Sequence, residues 1–428
     1  MPCTEVAPTE DPSIPASPGC WPPAIWAVLI GCFAVRGLGF AYPFLPYHLD
    51  GLGFSTSTTG WIVAAFGAGY LIGQIACGWL SDRIGQRATL GIAMAAAAAI
   101  LPALAELRTT AGIFVAAYLT GVIYDAARPV VSAVIADAMP TEAEQARVNG
   151  WRHFAINSGA ALTGALGGYL AVRIGTGALF WTNAVACAAF GIVALRFLPG
   201  RDIHAHPQAE RTGYSEVSEA LRDGRLWLLS LASLCALICA GGVFTALPIL
   251  MTADGLDAAA YGTTQVANGT AVVLLSPLLT PWLSHRASAK SPMTGLLAAS
   301  GLILGVAMGA AGLSDSTLTY SLAAALAVPG EILLFIAAGD LVTRIAPPQS
   351  RGLYAGLWGT NLAMAIMIAP VMTAWALDHG GELTASAVFF GIGLVSAALC
   401  WSLHSSIHEV KTSPAIRESR PPRLSRRR

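Results

Sequence analysis

Residues 226–251, LWLLSLASLCALICAGGVFTALPILM, contain no charged side chain. A helix of about 20 apolar residues is long enough to cross the hydrocarbon core of a bilayer. Because lipid offers no hydrogen-bond partner to backbone N–H and C=O groups, an apolar run of this length predicts a transmembrane helix.

Similar runs recur along the whole chain, whose 428 residues are 55% hydrophobic and only 11% charged. Soluble domains carry about 25% charged residues, so the composition excludes a soluble enzyme. We predict an all-α membrane protein with twelve transmembrane helices, near residues 24–49, 57–80, 88–106, 110–138, 146–172, 177–198, 226–251, 259–284, 292–313, 317–345, 352–377 and 383–403.

The longest internal polar stretch divides these runs six and six. It spans residues 199–225 and is predicted to be a cytoplasmic linker between two six-helix bundles, 24–198 and 226–404. The proline-rich segment 1–23 is predicted to be a disordered cytoplasmic tail, and the basic segment 405–428 a second cytoplasmic tail that lies on anionic lipid.

The two halves share sparse identities at an offset close to the half-length. Asp137 corresponds to Asp340 at an offset of 203, and Asn157 to Asn361 at 204. This internal repeat predicts pseudo-symmetric bundles. Repeated six-helix halves with a substrate site between them are a common transporter plan.

The basic residues predict the orientation in the membrane. If the N-terminus is cytoplasmic, 20 of the 24 basic residues fall in cytoplasmic segments, whereas Arg108 and Arg173 fall outside. Cytoplasmic loops of membrane proteins are enriched in Lys and Arg. We therefore predict a multi-pass protein of the cell membrane with both termini in the cytoplasm. The balanced net charge predicts no nucleic-acid partner.

A segment rich in glycine and charge, GWLSDRIGQR, follows the second apolar run. We expect Gly78 to let another helix come close, and Gly85 to permit a tight turn. Asp82 can accept from the N-terminus of a neighbouring helix, whose dipole favours an anion. Arg83 and Arg87 are expected among cytoplasmic headgroups.

This segment resembles the signature loop of the major facilitator superfamily, G-x-L-x-D-R-x-G-R-R, with Gln86 at one basic position. The resemblance extends over about residues 24–404 and implies the fold of that family, two six-helix bundles that move in alternating access. It also implies that Asp137, at the end of the fourth run, pairs with Arg83 or Arg87 as a conformational latch.

The fifth run contains GAALTGALGG, which resembles the family's antiporter signature G-x-x-x-G-P-x-x-G-G, with Thr163-Gly164 in place of Gly-Pro. The resemblance implies export. Small-residue packing between helices is an open alternative explanation for the four glycines, and the two can hold together. The glycines are Gly159, Gly164, Gly167 and Gly168.

Four charged side chains fall well inside the runs: Arg36, Asp125, Arg128 and Glu331. Each costs about 2.5–3.5 kcal/mol at the bilayer centre on insertion scales, so we expect them to pair with one another. Such pairs either form a static network that holds helices together or exchange protons during transport. On the second interpretation Glu331 is the first candidate for proton coupling, and Asp125 the second.

Arg128 corresponds to Glu331 at the 203-residue offset, and equivalent positions of two related halves face a shared axis. We therefore expect both to face one central cavity. Aromatic and polar stripes at helical spacing extend this candidate cavity, although such stripes also occur in ordinary packing. The full set is Arg36, Phe40, Tyr47, Arg128, Asn157, Tyr354, Trp358 and Asn361.

The predicted function is secondary active transport, by a monomer, of a small amphipathic organic compound such as a drug or secondary metabolite, exported in exchange for protons. One alternative is a proton-coupled importer of a sugar, amino acid or organic anion, and another is a transport-inactive membrane sensor. The chain shows no nucleophile–base spacing and no metal-ligand spacing, so we expect no enzyme activity, metal or cofactor.

Overall fold

The computed structural model describes residues 21–123, 127–200, 214–287 and 293–412. Within these ranges every segment of regular secondary structure is helical, which confirms the all-α prediction. Most of the two predicted tails and the first part of the central linker lie outside the described residues.

The described residues of the first half form eight helices: α1 Pro23–Gly37, α2 Ala41–Gly51, α3 Thr56–Ile84, α4 Gln86–Glu106, α5 Thr110–Ile123, α6 Ala127–Ala138, α7 Glu142–Ile174 and α8 Thr176–Phe197. The pair α1 and α2 forms the first predicted span, and the pair α5 and α6 forms the fourth.

The second half begins with the short helix α9 Tyr214–Arg222. It continues with α10 Gly224–Ala253, α11 Ala258–Ala287, α12 Thr294–Ala311, α13 Thr317–Ile345, a short 3-10 helix Pro348–Ser350 and α14 Arg351–Thr412. Gly381 has non-helical backbone angles, φ 65° and ψ −155°, so α14 consists of two helices that meet there. These two helices match the last two predicted spans.

The membrane assignment is confirmed by helix length and composition. The described residues include nine helical segments long and apolar enough to cross a bilayer, and the last of them contains the division at Gly381. Helices α7 and α11, with 33 and 30 residues, are long enough but more polar. With these two helices the twelve predicted spans each have a helix, but the twelve crossings themselves stay a prediction.

Capping residues and glycines set the ends of the long helices. Ser55 and Thr141 accept hydrogen bonds from backbone N–H groups in the first turns of α3 and α7, at 3.3 and 3.2 Å. Gly85 and Gly175, with φ of 87° and 82°, each separate two consecutive helices by a single residue. Glycine adopts this backbone conformation without a steric penalty, so both one-residue reversals depend on it.

One apolar cluster covers the first half and extends onto second-half residues such as Leu247, Tyr261 and Tyr320, while another lies within the second half. The described contacts between the halves are made mainly by four helix pairs: α2 with α10, α3 with α10, α3 with α14, and α7 with α11. We call the end of the molecule at which α1 begins and α14 finishes the terminal face. The opposite end, where Gly53, Gly175 and Gly255 lie between helices, is the far face. These pairs position the candidate site between the halves.

Candidate functional site

Glycines bring the two halves into close contact near the far face. A Cβ atom built on Gly168 of α7 would lie 2.6 Å from the carbonyl oxygen of Ala258 and 2.8 Å from the Cα atom of Gly262, both on α11. A Cβ atom built on Gly67 of α3 would lie 2.6 Å from the backbone nitrogen of Met367 on α14. Because these neighbours are backbone atoms, no side chain fits without moving a helix.

The same interface helices carry glycines of a different kind near the terminal face. A Cβ atom built there would meet no other described atom within 4 Å, so the halves separate toward this face. These glycines are Gly78, Gly150, Gly352, Gly356 and Gly359. The expectation that Gly78 allows a close helix contact is therefore wrong for this structure, because its surroundings are open.

Aromatic side chains close the space between the halves at the far end. The ring of Tyr261 on α11 lies 5.5 Å from that of Phe44 and 5.8 Å from that of Tyr47, measured between ring centroids. Tyr42 stacks on Phe66 at 4.9 Å. Among the described residues, these rings therefore fill the far end of the interface.

A small pocket lies next to these rings, between the two halves. Its lining includes Arg36, Tyr42, Phe244, Tyr261 and Gln265, from helices α1, α2, α10 and α11. The enclosed volume is about 20 Å³, which holds little more than one water molecule. This pocket is therefore the closed end of the interface, on the side of the far face. An organic molecule needs the wider space toward the terminal face.

The predicted membrane charges occupy different positions relative to this pocket. Arg36 lines it, while Arg128 and Glu331 are half-buried on α6 and α13. The Oε1 atom of Glu331 is buried and accepts no hydrogen bond from any described residue. Asp125 lies outside the described residues. The mutual pairing of the four charges therefore stays a prediction.

Two further polar groups of the second half are unsatisfied. The indole Nε1 of Trp358 and the amide Nδ2 of Asn361, both on α14, are buried and donate no hydrogen bond within the described part of the chain. The two residues are three positions apart and so share one face of the helix. Helix α14 packs against α13, which carries Glu331. Buried polar atoms without partners are rare in native proteins, and a ligand or a water molecule is the usual explanation.

Three other predicted cavity residues serve in packing or lie at the surface. Phe40 is fully buried, and Tyr47 is 8% exposed among the rings of the far end. Asn157 is exposed on α7, and its amide donates a hydrogen bond of 2.9 Å to the His153 carbonyl oxygen. For Phe40 and Tyr47, the packing interpretation describes the observed contacts better than a place in the cavity.

Tyr354 lies near the terminal face, with its polar end bound to another side chain. It is 3% exposed, and its hydroxyl donates a hydrogen bond of 3.1 Å to the Asp223 carboxylate. Asp223 also accepts from the backbone and guanidinium of Arg225. Burial alone would raise the pKa of Asp223, but these hydrogen bonds outweigh it and hold the pKa below its ordinary value. Tyr354 therefore ties α14 to the end of the linker.

The predicted latch is arranged around a residue that departs from the family motif. The Gln86 amide donates a hydrogen bond of 2.6 Å to the Asp137 carboxylate, linking the start of α4 to the end of α6. Asp82, Arg83 and Arg87 are exposed nearby in sequence, on either side of the turn. The pairing of Asp137 with an arginine stays a prediction, and Gln86 already connects the same two segments.

The four glycines of the antiporter-like segment all face other helices. A Cβ atom on Gly159 would lie 2.9 Å from the backbone nitrogen of Gly37, and one on Gly167 would collide with the Phe44 ring. A Cβ atom on Gly164 would collide with Gln265 of the second half. Since Gly168 also packs on α11, the segment joins α7 both to its own half and to the other half.

Sequence reasoning missed the contribution of α11 to the site. Tyr261 and Gln265 line the interface pocket, and the Gln265 amide donates a hydrogen bond of 3.2 Å to the Val243 carbonyl oxygen. Thr163, which stands in place of the motif glycine, donates from its hydroxyl to the Arg36 carbonyl oxygen. Polar residues one turn apart in an apolar run were the available signal for Tyr261 and Gln265.

The chain matches one family model and is similar to several known proteins. The model of the Major Facilitator Superfamily matches residues 27–370. The inner membrane transport protein YajR of Escherichia coli strain K12 is 23% identical over 86% of this chain and 81% of its own length. The quinolone resistance protein NorA of Staphylococcus aureus is 28% identical over 36% of this chain and 39% of its own length.

Solved structures show the same fold at low sequence identity. A POT family transporter in complex with a thioalcohol-conjugated peptide has a TM-score of 0.73 and 14% identity, covering 91% of this chain and 96% of that one. A bacterial homologue of the human lysosomal transporter Spinster, in an inward-facing and unoccupied conformation, has a TM-score of 0.65 and 15% identity, covering 92% and 98%.

Proposed function

Since the chain belongs to the Major Facilitator Superfamily, we propose that it is a proton-coupled exporter of small amphipathic organic compounds. Its family and fold make it a multi-pass secondary transporter. Direction, coupling ion and substrate class are the parts that we propose. We further propose that it acts as a monomer in the cell membrane, with the terminal face in the cytoplasm.

The observation that carries the coupling proposal is the carboxylate of Glu331. It lies in the middle of α13, between apolar stretches, and its buried Oε1 atom has no hydrogen-bond partner among the described residues. An unpaired ion costs far more free energy in such surroundings than a neutral carboxylic acid does. Glu331 therefore gains a proton in this state and loses it when water or a cation reaches it.

The substrate class is supported by the walls of the interface. Aromatic rings from both halves line its closed end, and Arg36 and Gln265 supply polar groups there. Sites for organic molecules commonly combine an apolar lining with a small number of fixed polar groups. The partial similarity to NorA, named for quinolone resistance, favours export of aromatic compounds.

The state of the structure fits the first step of an export cycle. If the terminal face is cytoplasmic, as the basic residues predict, the interface is closed to the outside and widens toward the cytoplasm. A compound from the cytoplasm or the inner leaflet then enters the space between the halves. Rearrangement of the far-end contacts subsequently opens the other side.

The test uses inverted membrane vesicles energised with a proton gradient, with norfloxacin and ethidium as probes. We expect the wild type to accumulate a probe and release protons, and Glu331→Gln to lose proton-driven accumulation while binding of the probe persists. Asp340→Asn is the matched control on the same helix, because Asp340 is paired with Arg344 at 2.7 Å near the terminal face.

Two results contradict the proposal. Proton-driven accumulation by Glu331→Gln at the wild-type rate would exclude Glu331 from the coupling mechanism. Accumulation in right-side-out rather than inverted vesicles under an inward proton gradient would identify an importer. Binding of the probes, measured by equilibrium titration of the purified protein, separates a coupling defect from loss of the substrate site.

A further inference from the structure

A larger cavity opens on the far face of the first half, away from the interface between the halves. Its volume is about 430 Å³, in the usual range for small-molecule sites, and the ends of α2, α4 and α8 form its walls. The transport cycle proposed above assigns it no role.

Opposite charges line this cavity. Both Glu106, the last residue of α4, and Arg108, two residues further on, lie in its wall. The Glu106 carboxylate accepts a hydrogen bond of 3.1 Å from the indole Nε1 of Trp181, which orients the carboxylate. One carboxylate and one guanidinium in the same wall suit a ligand that carries both signs of charge.

The start of α8 adds a second attraction for an anion. Its first residues, Thr176 and Gly177, line the cavity, and Gly175 precedes them with φ of 82°. No described side chain caps this N-terminus. Free N–H groups and the dipole at a helix N-terminus favour phosphate or carboxylate groups.

His48 forms part of the wall of this cavity. It lines the cavity but is only 5% exposed, and its Nδ1 atom lies 2.9 Å from the Thr176 hydroxyl. The Leu104 carbonyl lies beside the ring, yet Nε2 has no partner with hydrogen-bond geometry among the described residues. His48 therefore fixes the end of α2 against the start of α8 in the wall of the cavity.

We propose that this cavity binds a phosphoethanolamine group, with the phosphate at Arg108 and the start of α8 and the ammonium at Glu106. The far face carries exposed Trp181 and Ile174, 49% and 52% accessible, and tryptophan marks the level of lipid headgroups. A primary ammonium donates hydrogen bonds to Glu106, whereas the quaternary ammonium of choline has no N–H group to donate. The group comes from an ethanolamine phospholipid of this leaflet or from a free solute.

Native mass spectrometry of the full-length protein tests the lipid source. We expect the wild type to retain dioleoyl phosphatidylethanolamine in preference to the phosphatidylcholine and phosphatidylglycerol analogues. Arg108→Ala should weaken retention roughly ten- to hundredfold, the usual effect of losing a charge-assisted hydrogen bond. Glu106→Gln should bind ethanolamine and choline lipids equally.

Arg173→Ala is the matched control, because Arg173 is also exposed on the far face but lies over the Tyr169 ring instead of this cavity. Thermal melting with free O-phosphoethanolamine tests the solute source. Stabilisation that depends on Arg108 supports the site from either source. The proposal is overturned if neither ligand binds in an Arg108-dependent manner, or if Arg173→Ala has the same effect as Arg108→Ala. Transport is not part of either readout.

Discussion

The two ends of helix α7 show how one helix serves both a closed and an open region. Near the far face, Gly168 touches backbone atoms of α11 in the other half, whereas near the terminal face Gly150 has open surroundings among the described residues. Both are glycines in the same helix, so residue type does not distinguish them. Their difference comes from the distance between the halves, which grows from the far face to the terminal face.

Helix α3 repeats this contrast against a different partner. Gly67 lies against the backbone of α14, while a Cβ atom built on Gly78 in the signature loop region would meet no described atom of another segment within 4 Å. Two helices at separate positions on the interface therefore report the same opening. The closed far end depends on backbone-to-backbone contacts, and it is the part of the interface most sensitive to added volume.

The largest effect is expected from Gly168→Leu. Overpacking typically costs about 1–3 kcal/mol, and here the neighbours are backbone atoms of α11, so the far end should open and transport should fall at least tenfold. Spin labels at Asp50 and Ala253 in a cysteine-free background would measure the separation of the halves. Gly150→Leu is the control on the same helix, and an equal change in both variants would refute a special role for the far-end contact.

A somewhat smaller effect is expected from Gly67→Ala, which adds one methyl group against the Met367 backbone. We expect a lower melting temperature and a wider far end, at a cost of about 1 kcal/mol. Gly78→Ala should neither lower the melting temperature nor widen the far end, since its surroundings are open and alanine favours a helix. If Gly78→Ala destabilises the protein as much as Gly67→Ala, the described opening does not represent the state in the membrane.

Two tyrosine–aspartate hydrogen bonds allow the ends of the second half to be compared directly. Tyr320 donates to Asp254 at 2.6 Å near the far face, and Tyr354 donates to Asp223 at 3.1 Å near the terminal face. In each Tyr→Phe variant, the free energy of unfolding should fall by about 0.5–1.5 kcal/mol. Hydrogen exchange should rise around α9 for Tyr354→Phe and around the start of α13 for Tyr320→Phe. If hydrogen exchange rises at both ends in either variant, the two hydrogen bonds do not act locally.

The smallest effect is expected from pH. Hydrogen bonds hold the pKa of Asp223 below its ordinary value of 3.8. The contribution of Asp223 to the free energy of unfolding is therefore present above pH 3.8 and is lost as the pH falls through the lowered pKa. Burial and the nearby Asp315 raise the pKa of Asp254 despite the Tyr320 hydrogen bond. The contribution of Asp254 to the free energy of unfolding is therefore present at low pH and is lost as the pH rises through the raised pKa.

Hydrogen exchange between pH 7 and pH 4, corrected for intrinsic rates, measures this contrast. Protection at the junction of α9 and α10 should stay constant, while protection beside Asp254 should increase toward pH 4. A loss of protection at Asp223 above pH 4, or no change at Asp254, would show that the two carboxylates do not differ in this way.

Part of the candidate site could be predicted from the sequence because charge in a membrane is costly wherever the chain folds. Glu331, Trp358 and Asn361 stand out in apolar runs, and a polar atom of each has no hydrogen-bond partner in the part of the chain that the structure describes. Tyr354 has the same sequence signal, yet its hydroxyl is bound to Asp223. Helical spacing specifies a face of a helix, but the partner on that face comes from a distant segment.

The sequence by itself determined that this is an all-helical membrane protein, because long apolar runs in lipid must satisfy their backbone hydrogen bonds internally. It also determined the family, through a short loop whose glycine and charges need no tertiary context to be recognised. Only the tertiary structure decided which glycines hold the halves together, which end is closed, and that Gln86 binds Asp137. Those outcomes depend on distances between helices remote in sequence, which local patterns do not encode.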